Sequence, residues 1–263
     1  MTGTPRPAEF TVVRILGNEL PPRDTPGQRL RVLQFILTHE QHFPLTEKWY
    51  IVNRIHDTAY FALVRGMLEA HKANYVVIPF KPPAPGNRRE RIQQAIEINY
   101  ARNEGVRLSR ARAARFAVIL DGDCFFNRDG WSKVASTIHT DQRQHATRRY
   151  YSIPHLRTTI ERHGNPVNEA FGEPMLVFRD DAPLLFDETI PFGEGDKLKL
   201  LFRIGHDQTP GRHYRVVGPQ AKSTGYVLHL GTGEPRADEN AGLRQHLRNL
   251  SLDKFLERIE AQA

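Results

Sequence analysis

The stretch VILDGDCFF, Val118 to Phe126, holds the residues whose types and spacing are best suited to chemistry. Two carboxylates, Asp121 and Asp123, follow a wholly apolar run, and enclosing such a pair is costly unless a cation meets it. A hard divalent ion, Mn²⁺ or Mg²⁺, shared between carboxylates and substrate phosphates answers that need. Gly122 between them lets the backbone turn and admits a ligand closely. Asp-Gly is also a common solvated turn, so the spacing alone leaves a metal site and a plain strand-end turn both open.

Other candidates are spread along the chain. His229 stands in YVLHL, Tyr226 to Leu230, ahead of Gly231-Thr232-Gly233. A histidine in an apolar strand is commonly a hydrogen-bonded core residue. His139, His145, His155 and His163 fall in polar stretches without metal-ligand spacing and receive no role. Asn18 and Asp57 are of the types that favour turns. Asp196 precedes an apolar-periodic segment, where aspartate is a good helix N-cap.

These residues need elements to position them, and the pattern predicts alternating strands and helices. Thr11 to Leu16, Trp49 to Ile55, Asn74 to Phe80 and Phe116 to Leu120 read as strands. Gln28 to His39, Phe61 to His71 and Arg88 to Asn103 read as helices, the last stopped by Gly105. Pro21 to Gly27 and Lys81 to Gly86 are loops. FAVIL is the kind of strand buried on both faces of a parallel sheet. Repeated strand-helix-strand units argue for an open, mostly parallel sheet, whose ligands sit at the carboxyl ends of the strands. The site should therefore gather Gly17, Asn18, Asp57 and Asp121 to Asp123. Beyond Trp131 the pattern weakens. His139 to Asn168 is polar and basic, Pro174 to Phe178 reads as a strand, and Asp196 to Ile204 as a helix. Tyr226 to Leu230 is a late strand and Asn240 to Ala261 a closing helix. A division near residue 135 separates a nucleotide-binding half, 1–135, from an acceptor-side half, 136–263, within one compact domain.

The helix-to-strand block YARNEGVRLSRARAARFAVILDGD, Tyr100 to Asp123, resembles family 2 glycosyltransferases and other enzymes of the GT-A fold. Ala101, Arg102, Asn103 and Gly105 match the Ala-Arg-Asn-x-Gly pattern at the end of a helix. Asp121 and Asp123 match the Asp-x-Asp that ends the following strand. ILGNE, Ile15 to Glu19, looks like the turn that closes the first strand in that family. The resemblance covers roughly residues 10 to 131.

What it implies is an α/β, GT-A-like, mostly parallel nucleotide-binding sheet flanked by helices, with an irregular acceptor-side C-terminal half. Its activity would be metal-dependent transfer of a sugar from a nucleotide diphosphate sugar, of UDP type, to an acceptor hydroxyl with inversion. Asp123 would hold Mn²⁺ or Mg²⁺. Asp121 would contact the ribose, or the metal through water. Gly17, Asn18 and Asp57 would lie near the base, and Arg102 near the phosphates or sugar. IVNRIHD lacks the family's usual acidic run, which weakens the assignment of Asp57. A late histidine closes the metal site in several GT-A enzymes, which would be His229 here. PFGEGDKLKLLFRIG looks like the family's late acidic pair, so Glu194 and Asp196 are candidate general bases; Glu169 and Glu173 would lie nearer the floor of the sugar pocket.

With 263 residues, 25% charged and 39% hydrophobic, the composition is that of a globular chain. No apolar run reaches the roughly 20 residues of a membrane span, and MTGTPRPAEF has no apolar export core. A single cysteine, Cys124, excludes an internal disulfide and suits a cytoplasmic setting. The net charge of +7 favours anionic partners. Eight arginines between Arg88 and Arg115 read mainly as a solvated helix face. The basic runs at Arg148-Arg149 and Arg244 to Arg248 read first as solvated faces, with peripheral contact at the inner face of a membrane the alternative if the acceptor is lipid-linked; the acceptor is a small molecule, a glycan or a lipid-linked one. Two competing classes are weaker. A sugar-phosphate nucleotidyltransferase would carry a glycine-rich loop where GNELPPRDTPGQR stands. A nucleic-acid-binding module would leave the buried acidic strand end without purpose, so no stable nucleic-acid partner is expected. Oligomeric state is not legible.

Overall fold

The computed structural model describes residues 8–162, 173–205, 221–231 and 241–262. Of the expected features, Glu169, His163 and Thr232-Gly233 lie outside the described residues.

The chain builds an α/β open sheet, mostly parallel, with helices on both faces. Seven strands run in the order β3-β2-β1-β4-β8-β6-β9. β1 (Phe10–Leu16) is central and parallel to both β2 (Thr46–Asn53) and β4 (Phe116–Asp121). β3 (Asn74–Ile78) extends the parallel block on one side. On the other, β8 (Met175–Arg179) pairs antiparallel with β4 and with β6 (Tyr150–Ile153), and β9 (Lys222–Ser223) closes that edge. A small second sheet has β10 (Val227–Gly231) between β5 (Cys124–Phe125) and β7 (His155–Thr159). The stretch after His139, expected to be irregular, thus supplies β6 and β7. These strands are short, and periodicity carries little signal over four or five residues.

Alternation along β1 and β4 makes two apolar layers. Phe10, Val12, Phe116, Val118 and Leu120 pack with Trp131, Val134 and Ile138 of α5 (Arg128–Gln144). Val13, Ile15, Ala117 and Ile119 pack with Ala101 and Val106 of α4 (Ile98–Ala111). Burying each such aliphatic side chain contributes about 1.5–3 kcal/mol. α1 (Gln28–His39) and α2 (Thr58–Ala70) cover the β2 side through Leu33, Val64 and Leu68.

The single helix expected over Arg88 to Asn103 is two: α3 (Arg88–Ile96) and α4, separated at Glu97, whose φ is 39°. The end of β2 explains the break. Asn53 donates to the Ile96 carbonyl at 2.6 Å and Arg54 to the Gln94 carbonyl at 2.8 Å, satisfying the carbonyls a helix end leaves open. Arg54 also pairs with Glu97 at 2.5 Å. Gly105 does not stop a helix; it lies inside α4, where an added Cβ would sit 3.0 Å from Ile119 Cδ1 and 3.1 Å from Val13 Cγ1. It is there so that α4 can approach the sheet closely.

Candidate active site

β1 sends its chain on to β2 on one side while β4 lies on the other, and a crevice opens at the carboxyl ends of such strands. Here it is a cavity of about 540 Å³ whose lining includes Gly17, Asn18, Arg102, Asp121, Asp123 and His229. Ile15 is in register with Asp121, so the first-strand turn and the Asp-Gly-Asp turn stand side by side. Gly122 has a steric reason to be glycine: a Cβ would lie 2.7 Å from the Ile15 carbonyl oxygen.

Asp123 and His229 meet across the β5–β10 pairing. Cys124 is in register with His229, and Leu230 donates its N–H to the Asp123 carbonyl at 2.8 Å. Asp123 Oδ2 lies 3.3 Å from His229 Nε2, each side chain a little over one-third exposed to the cavity. Asp123 pushes the His229 pKa up against the effect of burial. Burial opposes ionisation of Asp123, and His229 overcomes it, holding the carboxyl below its usual range.

Asp121 faces differently. One oxygen accepts from Arg102 Nη2 at 2.9 Å and the other from Lys197 Nζ at 2.6 Å. These two cations outweigh burial and hold the carboxyl far below the ordinary carboxylate range. Arg102, 3% exposed, also bonds Asp196 and, at 2.9 Å, Asn99 Oδ1. The guanidinium therefore bridges the end of β4 to the loop before α6 (Leu198–Arg203).

The structure places the other expected residues unevenly around this cavity. Glu194 is exposed, pairs with Arg89 at 2.9 Å and is absent from the cavity lining, so it is not brought to the site. Asp196 lines the cavity but is neither a free base nor a cap. Arg102, then Lys197, keep it ionised against burial, and Lys197 holds the N-cap position of α6. Asp57 is an exposed N-cap of α2, accepting from Tyr60 N–H at 2.9 Å, and does not line the cavity. Asn18 spends its amide on backbone, donating to the Arg54 carbonyl at 2.7 Å and accepting from His56 N–H at 2.8 Å. It brackets the turn after β2. Gly17 lines the cavity with nothing near its Cβ direction. Glu173 lines the cavity without a hydrogen bond or ion pair to a described residue, and burial pushes its pKa up.

Four residues went unnoticed in the sequence. Lys197 is buried beside Asp121. Arg23 reaches the cavity from the proline-rich loop. Arg14, fully buried in β1, donates from Nε to the Cys124 carbonyl at 2.8 Å and pairs with Glu40. Glu40 in turn accepts the Phe126 N–H at 2.8 Å. An arginine inside the apolar run TVVRIL was the available signal: a charge amid buried neighbours must have a partner.

The donor set tests a divalent ion as follows. Asp123 and His229, 3.3 Å apart and both open to the cavity, are close enough for one divalent ion to be held between them. Among the described residues no group of three or more His, Cys, Asp or Glu could hold a metal. Asp121, held by two cations, is not an open ligand. A protein pair completed by ligand oxygens is what the residues fit, and Mg²⁺ and its relatives commonly bind that way.

The arginines between 88 and 115 are largely spoken for. Arg88, Arg89, Arg91, Arg107 and Arg112 pair with Asp253, Glu194, Glu260, Glu188 and Glu47. Arg148 and Arg149 pair with Asp141 and Asp181. No helix among the described residues is long and apolar enough to cross a membrane.

No protein-family model and no curated protein matches the chain. Solved structures similar to it include Staphylococcus aureus TarS 1–349 in complex with UDP-GlcNAc, at 11% identity and a TM-score of 0.43, covering 89% of this chain and 62% of that one. Another is the mannosyltransferase PcManGT from Pyrobaculum calidifontis in complex with GDP-Man and Mn²⁺, at 14% identity and a TM-score of 0.46, covering 95% of this chain and 64% of that one. The chain thus spans less than two-thirds of the length of either.

Proposed function

We propose that the chain is a metal-dependent glycosyltransferase, moving a sugar from a nucleotide diphosphate donor to an acceptor hydroxyl with inversion. The observation that carries this reading is the Asp123–His229 pair, 3.3 Å apart at the carboxyl end of the sheet and open to the cavity. Asp123 and His229 would hold Mn²⁺ or Mg²⁺, which when bound supplies positive charge to the departing diphosphate. Arg102 and Lys197 fix Asp121 beside it, leaving that carboxylate to orient the ribose. The nucleotide would lie along Gly17 and Asn18, whose bracketed turn offers a rigid wall.

The acceptor hydroxyl must lose a proton as it attacks. In this reading Glu173 takes it. Its carboxylate faces the cavity without a partner among the described residues, and burial moves its pKa towards the range where a base is effective at neutral pH. Asp196, committed to Arg102, is a positioning residue.

The reading is tested by melting the protein with UDP, GDP and their sugars, with and without Mn²⁺, since a ligand of the folded state raises its midpoint. A UDP-type donor is the first to try. A Mn²⁺-dependent shift for one nucleotide, lost in Asp123→Asn, is expected. Equal shifts in Asp123→Asn and the parent chain would remove the metal from Asp123 and the activity with it.

A further inference from the structure

The cations of the cavity are not equally satisfied. Arg29 pairs with Asp24 at 2.6 Å, Arg102 with Asp121 and Asp196, and Lys197 with Asp121. Arg23 and Arg248 have no carboxylate partner among the described residues. The Arg23 guanidinium has no hydrogen-bond acceptor there either, although its Nη1 is shut off from solvent. Arg248 Nε is likewise buried without an acceptor, and its Nη1 reaches only the Gly193 carbonyl at 3.4 Å and Gln245 Oε1 at 3.3 Å.

The two guanidiniums converge on one ring. Arg23 Cζ lies 5.6 Å and Arg248 Cζ 5.8 Å from the Phe192 centroid. Gly193, at φ 89°, makes room: a Cβ there would lie 2.6 Å from Arg248 Cδ. Both arginines line the cavity that holds Asp123. Burial, and after it the like charge of Arg29, lower the Arg23 pKa, with Arg248 adding to the repulsion. Both side chains are half-buried, and a partly enclosed cation with no ion-pair partner is less stable than a paired one until a ligand supplies the counter-charge. Guanidinium forks match phosphate oxygens, and a flat ring beneath them fixes their planes.

We propose that Arg23 and Arg248, aligned on Phe192, form a phosphate subsite in the cavity, separate from the Asp123–His229 pair. The choice of ligand rests on the glycosyl-transfer reading, under which phosphate arrives either in the donor's diphosphate or on a phosphorylated acceptor.

The test is calorimetric titration of inorganic pyrophosphate and of inorganic phosphate into the full chain in EDTA, so that no divalent ion contributes. Pyrophosphate binds the parent chain with an affinity that falls as salt rises, and Arg23→Gln and Arg248→Gln each weaken it about tenfold or more, on the usual strength of a charged hydrogen bond. Arg23→Gln also raises the melting midpoint of the ligand-free protein, because it removes an unpaired cation. Arg23→Lys, which keeps the charge and loses the fork, falls between. Repeating the titration under saturating UDP or GDP assigns the source: displacement of pyrophosphate makes it the donor's diphosphate, and surviving Arg23-dependent phosphate binding makes it the acceptor's.

Absence of pyrophosphate binding, or binding unchanged in both glutamine variants, overturns the subsite. That failure is separable from failure of the wider reading. Arg23-dependent pyrophosphate binding in a chain that turns over no nucleotide sugar would sink the transferase and keep the subsite. Turnover with Arg23 and Arg248 silent would do the reverse.

Discussion

Arg14 and Glu40 form an enclosed ion pair directly behind the Asp-Gly-Asp turn, and between them they hold the backbone at Cys124 and Phe126. Lys48 Nζ adds a second cation 3.0 Å from Glu40. The Asp-Gly-Asp turn is thus anchored by a pair of charges, Arg14 and Glu40, whose side chains are enclosed by the protein. Glu40→Ala would leave Arg14 buried without its counter-charge, at about 3–5 kcal/mol. Urea unfolding should show that loss, and Mn²⁺-dependent nucleotide binding should weaken in the fraction still folded.

Gly122→Ala tests the turn itself. A methyl group 2.7 Å from the Ile15 carbonyl oxygen cannot be relieved by moving a flexible side chain; the backbone of β1 or β4 must shift. Overpacking of this kind costs about 1–3 kcal/mol. Because the displaced residues are Asp121 and Asp123, nucleotide binding should fall further than stability does. Parallel measurement of melting midpoint and nucleotide affinity distinguishes the two effects.

Acid stability should report the Arg102 bridge. Asp121 and Asp196 both have folded pKa values below the ordinary carboxylate value. A depressed carboxylate adds stability that is present above its unfolded pKa, about 4, and is lost as pH falls through the folded value. The parent chain should therefore lose melting temperature steadily below about pH 4. Asp196→Asn, already less stable at neutral pH, should lose less on acidification. Identical acid slopes in the two proteins would mean that the pair adds nothing to folding.

Glu173→Gln separates a base from a binding residue. If this carboxylate takes the acceptor proton, kcat falls by about 10²–10⁴-fold while donor affinity and KM for the donor stay near the parent values. A loss confined to KM would place Glu173 in substrate binding instead.

The parallel half of the fold was legible because its elements are long and its strands sit between helices. Gln28 to His39 comes out as a helix with the ends read from its periodicity, and FAVIL is the doubly covered strand that its unbroken apolar run implied. The two-stranded contribution of residues 150–159 was hidden, since four- and five-residue strands rich in Tyr, Ser, His, Arg and Thr look like loop. Within the cavity, Asp123 and His229 were singled out through the family resemblance, and the structure sets them 3.3 Å apart. Lys197 and Arg23 were not, because surface and buried cations look alike in a basic sequence until the fold shows which carboxylates they face. Asp57 and Glu194 lie outside the cavity lining, for the complementary reason: an acid at a loop end is as easily a cap or a surface partner as a ligand contact.

The pairing of β5 with β10 makes the candidate site a joint product of two distant parts of the chain. Asp123 follows β4 directly, whereas His229 arrives on β10, whose register with β5 sets Cys124 opposite His229. Closing so long a loop carries an entropic cost that the packing of the finished fold must offset. A nascent chain with only its first four strands in place would carry the carboxylate turn with no imidazole opposite. Truncation ahead of β10 would therefore strip Asp123 of its partner while leaving β1 to β4 with every residue they need, so integrity of the sheet and integrity of the pair are separable properties of this chain.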